Sequence, residues 1–210
     1  MINKSATNRR PGRPKSEEKH EAIRKAGAEL FLAVGWAGTS MDAIAQKAGV
    51  SKQTVYSHFR SKEDLFRECI QSKISLYELD ADDRGESLEQ ALLRYGRRFY
   101  ELLNDADVVR MYRLMIAHAE EFPNLVRSFQ EAGPDTTERA FAELLAKVLP
   151  HDSGIDPQDA ACDYLQPIFV DVLMQRLMNQ EPDVPDGDVH AYLERNVHRF
   201  LRIHGLAANE

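Results

Sequence analysis

The sequence predicts an all-α fold of about nine helices, three in a small N-terminal module and the rest in a larger helical body. Three observations carry this. Apolar residues recur with helical rather than strand spacing along nearly the whole chain. Glycines and prolines fall between the periodic stretches, where helices end. Charge is divided: residues 1–68 hold 13 Lys and Arg against 8 Asp and Glu, while the remaining residues hold 14 against 26. The 210-residue chain is acidic overall, with net charge −7. A basic module on an acidic body suggests a polyanionic partner for the module alone.

The first helix is expected over 17–34, with Ile23, Ala26, Leu30, Phe31 and Val34 on one face and Gly35 and Gly38 ending it. The second opens at Thr39, with Asp42 three residues on as in a capping box. Its Met41, Ile44, Ala45 and Ala48 share a face, and Gly49 stops it. A third, short helix follows the N-cap Ser51, and a fourth runs from Ser61 to about residue 79. The acidic stretch 78–87 is a candidate boundary. Beyond it helices are expected near 87–104, 106–119, 123–149, 156–180 and 187–205. The predicted organisation is a disordered basic arm (1–15), a module (16–68) and a body (69–210).

The second helix, the Gly49 turn and the third helix together make a helix-turn-helix. Val50 and Val55 can staple the entry of the third helix, and Val55 and Phe59 face inward. Lys52, Gln53, Thr54 and Tyr56 are left outside near its N-terminus. These side chains suit a major groove: Lys for guanine acceptors, Gln for adenine, Thr for a thymine methyl or a phosphate. The stretch "AGAELFLAVGWAGTSMDAIAQKAGVSKQTVYSHFRSKEDLF" resembles the DNA-binding domain of TetR-family transcriptional regulators. The resemblance rests on the Phe31 to Gly35 helix end, Thr39, "IAQKAGVS", "VYSHF", and Lys62 followed by an acid and Leu65. Over 100–150, "MYRLMIAHAEEFPNLVRSFQEAG" further resembles an AcrR/AefR-like subgroup.

The resemblance implies a homodimeric regulator, a repressor released from a palindromic double-stranded DNA operator by a small apolar or amphipathic ligand held in the body. Carried over residue by residue, it implies phosphate contacts from Thr39 and Lys62, base-edge positions at Lys52, Gln53 and Thr54, and backbone contacts from Tyr56 and His58. Arg13, between Gly12 and Pro14, resembles the core of an arm that enters the minor groove. A TetR-type regulator answering to a protein partner, or acting as an activator, is the alternative.

In the body, Ala161, Leu165, Ile168 and Val172 make one apolar stripe and Cys162, Phe169, Leu173 and Leu177 a second, with Pro167 expected to kink the helix. So wide an apolar arc suggests burial on two sides. Phe169, Leu173 and Leu177, with Leu193, Val197 and Phe200 of the last helix, are therefore the expected dimer interface. Tyr95, Phe99, Met111, Tyr112, Met115, Phe129 and Phe169 are the candidates for a ligand pocket, since Met and aromatic side chains suit an adaptable apolar site.

No apolar run approaches the ~20 residues of a membrane span, and residues 1–15 lack the apolar centre of a secretory signal. A cytoplasmic protein with no membrane partner is expected, its Cys69 and Cys162 free thiols. No Ser-His-Asp order, phosphate-binding loop or dinucleotide fingerprint argues for an enzyme or a cofactor. His190, Glu194 and His198 fall at i, i+4 and i+8, which keeps an all-helical metal-dependent hydrolase as a distant alternative. No metal is expected.

Overall fold

The computed structural model describes residues 15–79, 85–182, 184 and 188–206; Arg13 and the rest of the predicted arm lie outside them. Among the described residues every regular element is helical. The chain divides into two compact units, Met1–Phe66 and Arg67–Glu210.

The first unit holds α1 (Lys15–Gly38), α2 (Met41–Ala48), α3 (Lys52–His58) and the start of α4 (Lys62–Ser75). Ile23, Phe31, Ile44, Val55, Phe59, Leu65 and Phe66 are its fully buried centre. Phe31, Trp36 and Phe66 meet pairwise with ring centroids 5.2–5.6 Å apart. Gly27 lets α1 and α4 close on each other, because a Cβ there would stand 2.9 Å from Leu65 Cδ2. Gly35 breaks the helical conformation of α1 where its end is expected. At φ 73° it kinks the helix, which resumes through Gly38. The kink brings Trp36 onto the core, and Val34, expected on the buried face, is exposed and lies against Gly38.

The second unit follows with α5 (Leu88–Asn104), α6 (Ala106–Ala117), α7 (Pro123–Ala132), α8 (Pro134–Val148), α9 (Pro157–Ile168), a π segment (Phe169–Met174), α10 (Gln175–Leu177) and α11 (Val189–Ile203). The fourth helix stops at Ser75, short of residue 79. The single helix expected over 123–149 is two. Gly133 adopts φ −108°, ψ −90°, and Pro134 opens α8 at its first position, where no N–H is needed. Counting residues 157–177 as one rod, the described chain has ten rods where about nine are expected. The kink expected at Pro167 takes the form of a widening, since the π segment begins two residues after it. Proline cannot donate to the helical ladder, and the ladder resumes in a wider turn.

The centre of this unit is aromatic. Tyr95 stacks on Phe141 at 4.2 Å, and Tyr164 sits between Phe141 and Phe200. Both buried phenols are satisfied: Tyr95 donates to Thr137 O at 2.8 Å and Tyr164 to Leu92 O at 2.7 Å. At the α5–α6 joint, Asp105 accepts from the Asp107 and Val108 N–H groups, pairs with Lys73 at 2.8 Å and accepts from the Tyr77 hydroxyl. Burial alone would raise its pKa, but Lys73, Tyr77 and the Val108 N–H hold it below the ordinary aspartate value.

Two sequence expectations change here. Leu173, Leu193, Val197 and Phe200 are at most 3% exposed in the single chain, and Phe169 and Leu177 are partly buried against the same core. They are intrachain core, because α5, α8 and α11 of the same chain pack on the rod. The apolar residues that the rod leaves exposed are Val170, Met174 and Met178. Among the pocket candidates, Tyr95 and Phe99 belong to the main core. Tyr112, Phe129 and Phe169 converge instead, with Tyr112 at 4.9 and 5.9 Å from the other two rings. Met115 is buried and Met111 half-buried on the same α6.

Gly96 yields a test of this core. An added Cβ would fall well inside van der Waals contact with Tyr164 Oη and 3.2 Å from Leu193 Cδ2. Tyr164 cannot swing away, being held by two rings and its bond to Leu92. Gly96→Ala should therefore destabilise the protein by about 1–3 kcal/mol in chemical denaturation. At an open helical site the same change would stabilise by up to ~1 kcal/mol, and that sign would refute the packing.

Candidate nucleic-acid interface

The turn between α2 and α3 is fixed by local chemistry. Gly49 takes the left-handed conformation (φ 66°), and its N–H reaches Ala45 O and Gln46 O. Ser51 then caps α3 by accepting from the Thr54 N–H at 3.1 Å, and its hydroxyl also meets Thr54 Oγ1 at 2.8 Å. Val55 and Phe59 point into the core, so Lys52, Gln53 and Tyr56 are exposed and Thr54 is half-exposed. Ser61 caps α4 at the Asp64 N–H, and Asp64 accepts from the Arg60 N–H in return. The α3–α4 turn is thereby as rigid as the one before it.

These elements surround an open concavity of about 450 Å³, lined by Thr39, Ser40, Met41, Asp42, Lys52, Tyr56, Arg60, Ser61 and Lys62. Three cations face one carboxylate across it. Its cationic, hydroxyl-rich lining suits a sugar-phosphate strand.

Several residues sit differently from their expected roles. Ser40, not Thr39, caps α2, accepting from the Ala43 N–H at 3.1 Å. Thr39 is 2% exposed and donates its hydroxyl to Gly35 O at 2.7 Å. It braces the kink of α1, and the exposed hydroxyl next to it belongs to Ser40. Lys62 lines the concavity, yet its Nζ donates to Trp36 O and Thr39 O, each at 2.9 Å, and lies 4.1 Å over the Trp36 ring. Burial holds this ammonium below the usual lysine pKa. His58 is half-buried, edge-on to His20, which stacks on Phe59. Lys52 is paired with Asp42 at 2.8 Å.

Arg60 and Ser40 were not among the expected contacts. The signal for Arg60 was a long cation directly between the inward Phe59 and the Ser61 cap, where the backbone is pinned. In the other unit, His190 pairs with Glu194 at 3.3 Å, both well exposed. Among the described residues no three His, Cys, Asp or Glu side chains converge as a metal site would require, so the spacing with His198 is a surface face.

The fold and this surface agree with the comparisons. The profile described as "Bacterial regulatory proteins, tetR family" matches residues 23–69, and that of the "AefR-like transcriptional repressor, C-terminal domain" matches residues 90–205, more than half of the chain. The chain belongs to the TetR family. It is a DNA-binding transcriptional regulator, and no helix among its described residues is long and apolar enough to cross a membrane. It is 37% identical over 67 residues to the transcriptional activator FasR of Mycolicibacterium smegmatis, 32% of this chain and 31% of that one. It is 32% identical over 112 residues to AcrR of Shigella flexneri, 53% of this chain and 45% of that one. The chain thus spans about a third of FasR and under half of AcrR. Among solved structures, the flavonoid-responsive regulator FrrA superposes with TM-score 0.73 at 29% identity, covering 89% of this chain and 97% of FrrA.

The geometry separates two lysine-like roles. Lys62→Met should destabilise the N-terminal unit by about 1–3 kcal/mol, since two carbonyls lose a charged donor, while changing the salt slope of DNA binding by well under one. Arg60→Ala should leave stability nearly unchanged and flatten that slope by about one. Thermal unfolding and binding isotherms across salt concentrations check both; a full-unit slope loss in Lys62→Met would return it to the phosphate contacts.

Proposed function

We propose that this TetR-family regulator acts as a homodimeric repressor in the cytoplasm, reading an inverted-repeat operator with α3 and leaving it when a small apolar or amphipathic ligand enters the second unit. The observation that carries the DNA half is the outward first turn of α3, with Lys52 lining a cationic concavity and Gln53 and Thr54 beside it in sequence, exposed and half-exposed. Gln53 suits adenine, and Ser40, Tyr56 and Arg60 suit the flanking phosphates. Repression is favoured by the match of residues 90–205 to a repressor's C-terminal domain. The likeness to the activator FasR is confined to 67 residues, a span about the size of the DNA-reading unit, and carries less weight on the sign of regulation.

Dimerisation is supported by the exposed apolar row Val170, Met174 and Met178 on the 157–177 rod. Two copies of such a row, related by a two-fold axis, would bury each other. The ligand half rests on Tyr112, Phe129 and Phe169. Burial alone pushes the Tyr112 phenol up, whereas Tyr77 and Tyr192 are raised by carboxylate partners as well. A planar aromatic molecule with a polar group could replace one of these rings and meet the Tyr112 hydroxyl, and FrrA's description as flavonoid-responsive is in keeping with that class. The fourth helix, common to both units, is the covalent route for the signal.

Selection of binding sites from random double-stranded DNA tests the reading: the expected result is an inverted repeat with half-sites one helical turn apart. Gln53→Ala should relax one base position per half-site by about 1–3 kcal/mol. Only asymmetric, unrepeated sites would count against a dimeric reader. Met174→Asp should yield a soluble, folded monomer by light scattering, at little cost to the isolated fold because Met174 is exposed. A dimer of unchanged affinity would move the interface off this row.

A further inference from the structure

The concavity that suits DNA contains one carboxylate, Asp42, whose exposed place in the first turn of α2 contributes only modestly to stability. Asp42 stands in the first turn of α2 and Lys52 in the first turn of α3, with Lys52 Nζ 2.8 Å from Asp42 Oδ1 and 3.0 Å from Oδ2. Their side chains are 65% and 60% exposed. An ion pair that open to water adds next to nothing to folding. Asp42 does not cap α2, since Ser40 does. On a surface built to approach phosphates, an exposed anion is a cost: it repels the strand and neutralises one of the few free cations. Lys62 is already committed to carbonyls, leaving Lys52, paired with Asp42, and Arg60 as the other cations of the lining.

The two heads side by side have a specific counterpart. In the major groove guanine presents the O6 and N7 acceptors, and its cytosine partner presents the N4 amino donor beside them. An ammonium next to a carboxylate matches that edge, donor to acceptors and acceptor to donor, with no change in the separation of the two side chains. A·T orders its groups differently, with the adenine N6 amino donor between the N7 and O4 acceptors, so an ammonium bridging two adjacent acceptors beside a carboxylate finds no such edge there; a phosphate offers acceptors only and leaves Asp42 unpaired against negative charge.

We propose that Asp42 is a specificity-determining residue of the DNA-reading surface, and that the Asp42–Lys52 pair reads one G·C base pair in each half-site. Away from such a pair, Asp42 keeps Lys52 neutralised and suppresses binding to random DNA. This rests on the reading of α3 as the base-contacting helix, and the experiment separates the two.

The Asp42→Asn variant keeps shape and removes the charge. Sites are selected with wild type, with Asp42→Asn, and with Glu29→Gln, which breaks the Lys47–Glu29 surface pair, 2.8 Å long and outside the concavity, as control. Wild type is expected to require G·C at one position of each half-site. Asp42→Asn should lower that preference about tenfold, leave the other positions unchanged, and raise affinity for random DNA. Its salt slope on random DNA should steepen by about one, as Lys52 becomes free to displace a counterion. Glu29→Gln should change none of these. A wild-type operator with no fixed G·C, or an Asp42→Asn variant with unchanged preference and slope, overturns the proposal while leaving the α3 reading intact. Absence of any selected site for wild type overturns both.

Discussion

One ammonium organises the DNA-reading unit. Lys62 opens α4, but its Nζ lies under the bend between α1 and α2, donating to Trp36 O and Thr39 O and resting on the Trp36 ring. Both carbonyls lie where α1 gives way to α2, and Trp36 O also accepts from the Thr39 N–H at 3.2 Å. Loss of the ammonium would take a charged donor from each. The lysine therefore ties together the end of α1, the start of α2 and the start of α4, and α3 is suspended between the last two by fixed turns. A reading helix of seven residues has no stability of its own, so its aim is the aim of this frame.

The second unit solves a different problem. Its helices are long and well capped, with a full capping box at Ser87 and Gln90 and proline at the first position of α7, α8 and α9. The side chains that specify the packing are aromatic with buried hydroxyls: Tyr95 and Tyr164 donate to backbone carbonyls and Tyr192 to the Asp171 carboxylate. Tyr112 is the departure from that pattern: it is desolvated among rings, with burial as the cause of its raised pKa. Asp105 meanwhile joins α6, which carries Tyr112, to Lys73 of α4 and to Tyr77 just beyond it. A displacement of α6 would be felt at the end of α4 through this one carboxylate.

What could be read from the sequence was what is decided within a few residues. Gly49, Ser51 and Ser61 fix their turns through neighbours three or four positions away, and Val55 and Phe59 follow from helical spacing. The role of Lys62 could not be read, since its partners lie 23 and 26 residues back. Thr39 and Ser40 are adjacent hydroxyls with equal claims to the cap, and only the Gly35 kink decides between them. The break at Gly133 and Pro134 is a local signal, overlooked inside a long periodic stretch. The apolar arc on the 157–177 rod was legible as wide, but which edge of it stays exposed depends on where α5 and α11 lie. That is a tertiary fact: it puts Leu173 and Phe200 in the core and leaves Val170 and Met174 exposed.

The π segment has a geometric effect on that exposed edge. Along an ordinary α-helix, residues eight apart drift by about 80° around the axis, so a row at i, i+4 and i+8 winds off to one side. A wider turn carries each residue less far round, and placing it between Val170 and Met174 subtracts from the drift. Val170, Met174 and Met178 are thereby drawn toward a line parallel to the rod. At the same residue count, a regular ladder over 169–174 would let that drift return, and the row would wind toward a neighbouring face. The irregular segment is thus a phase correction, keeping a straight edge on a helix that would otherwise spiral.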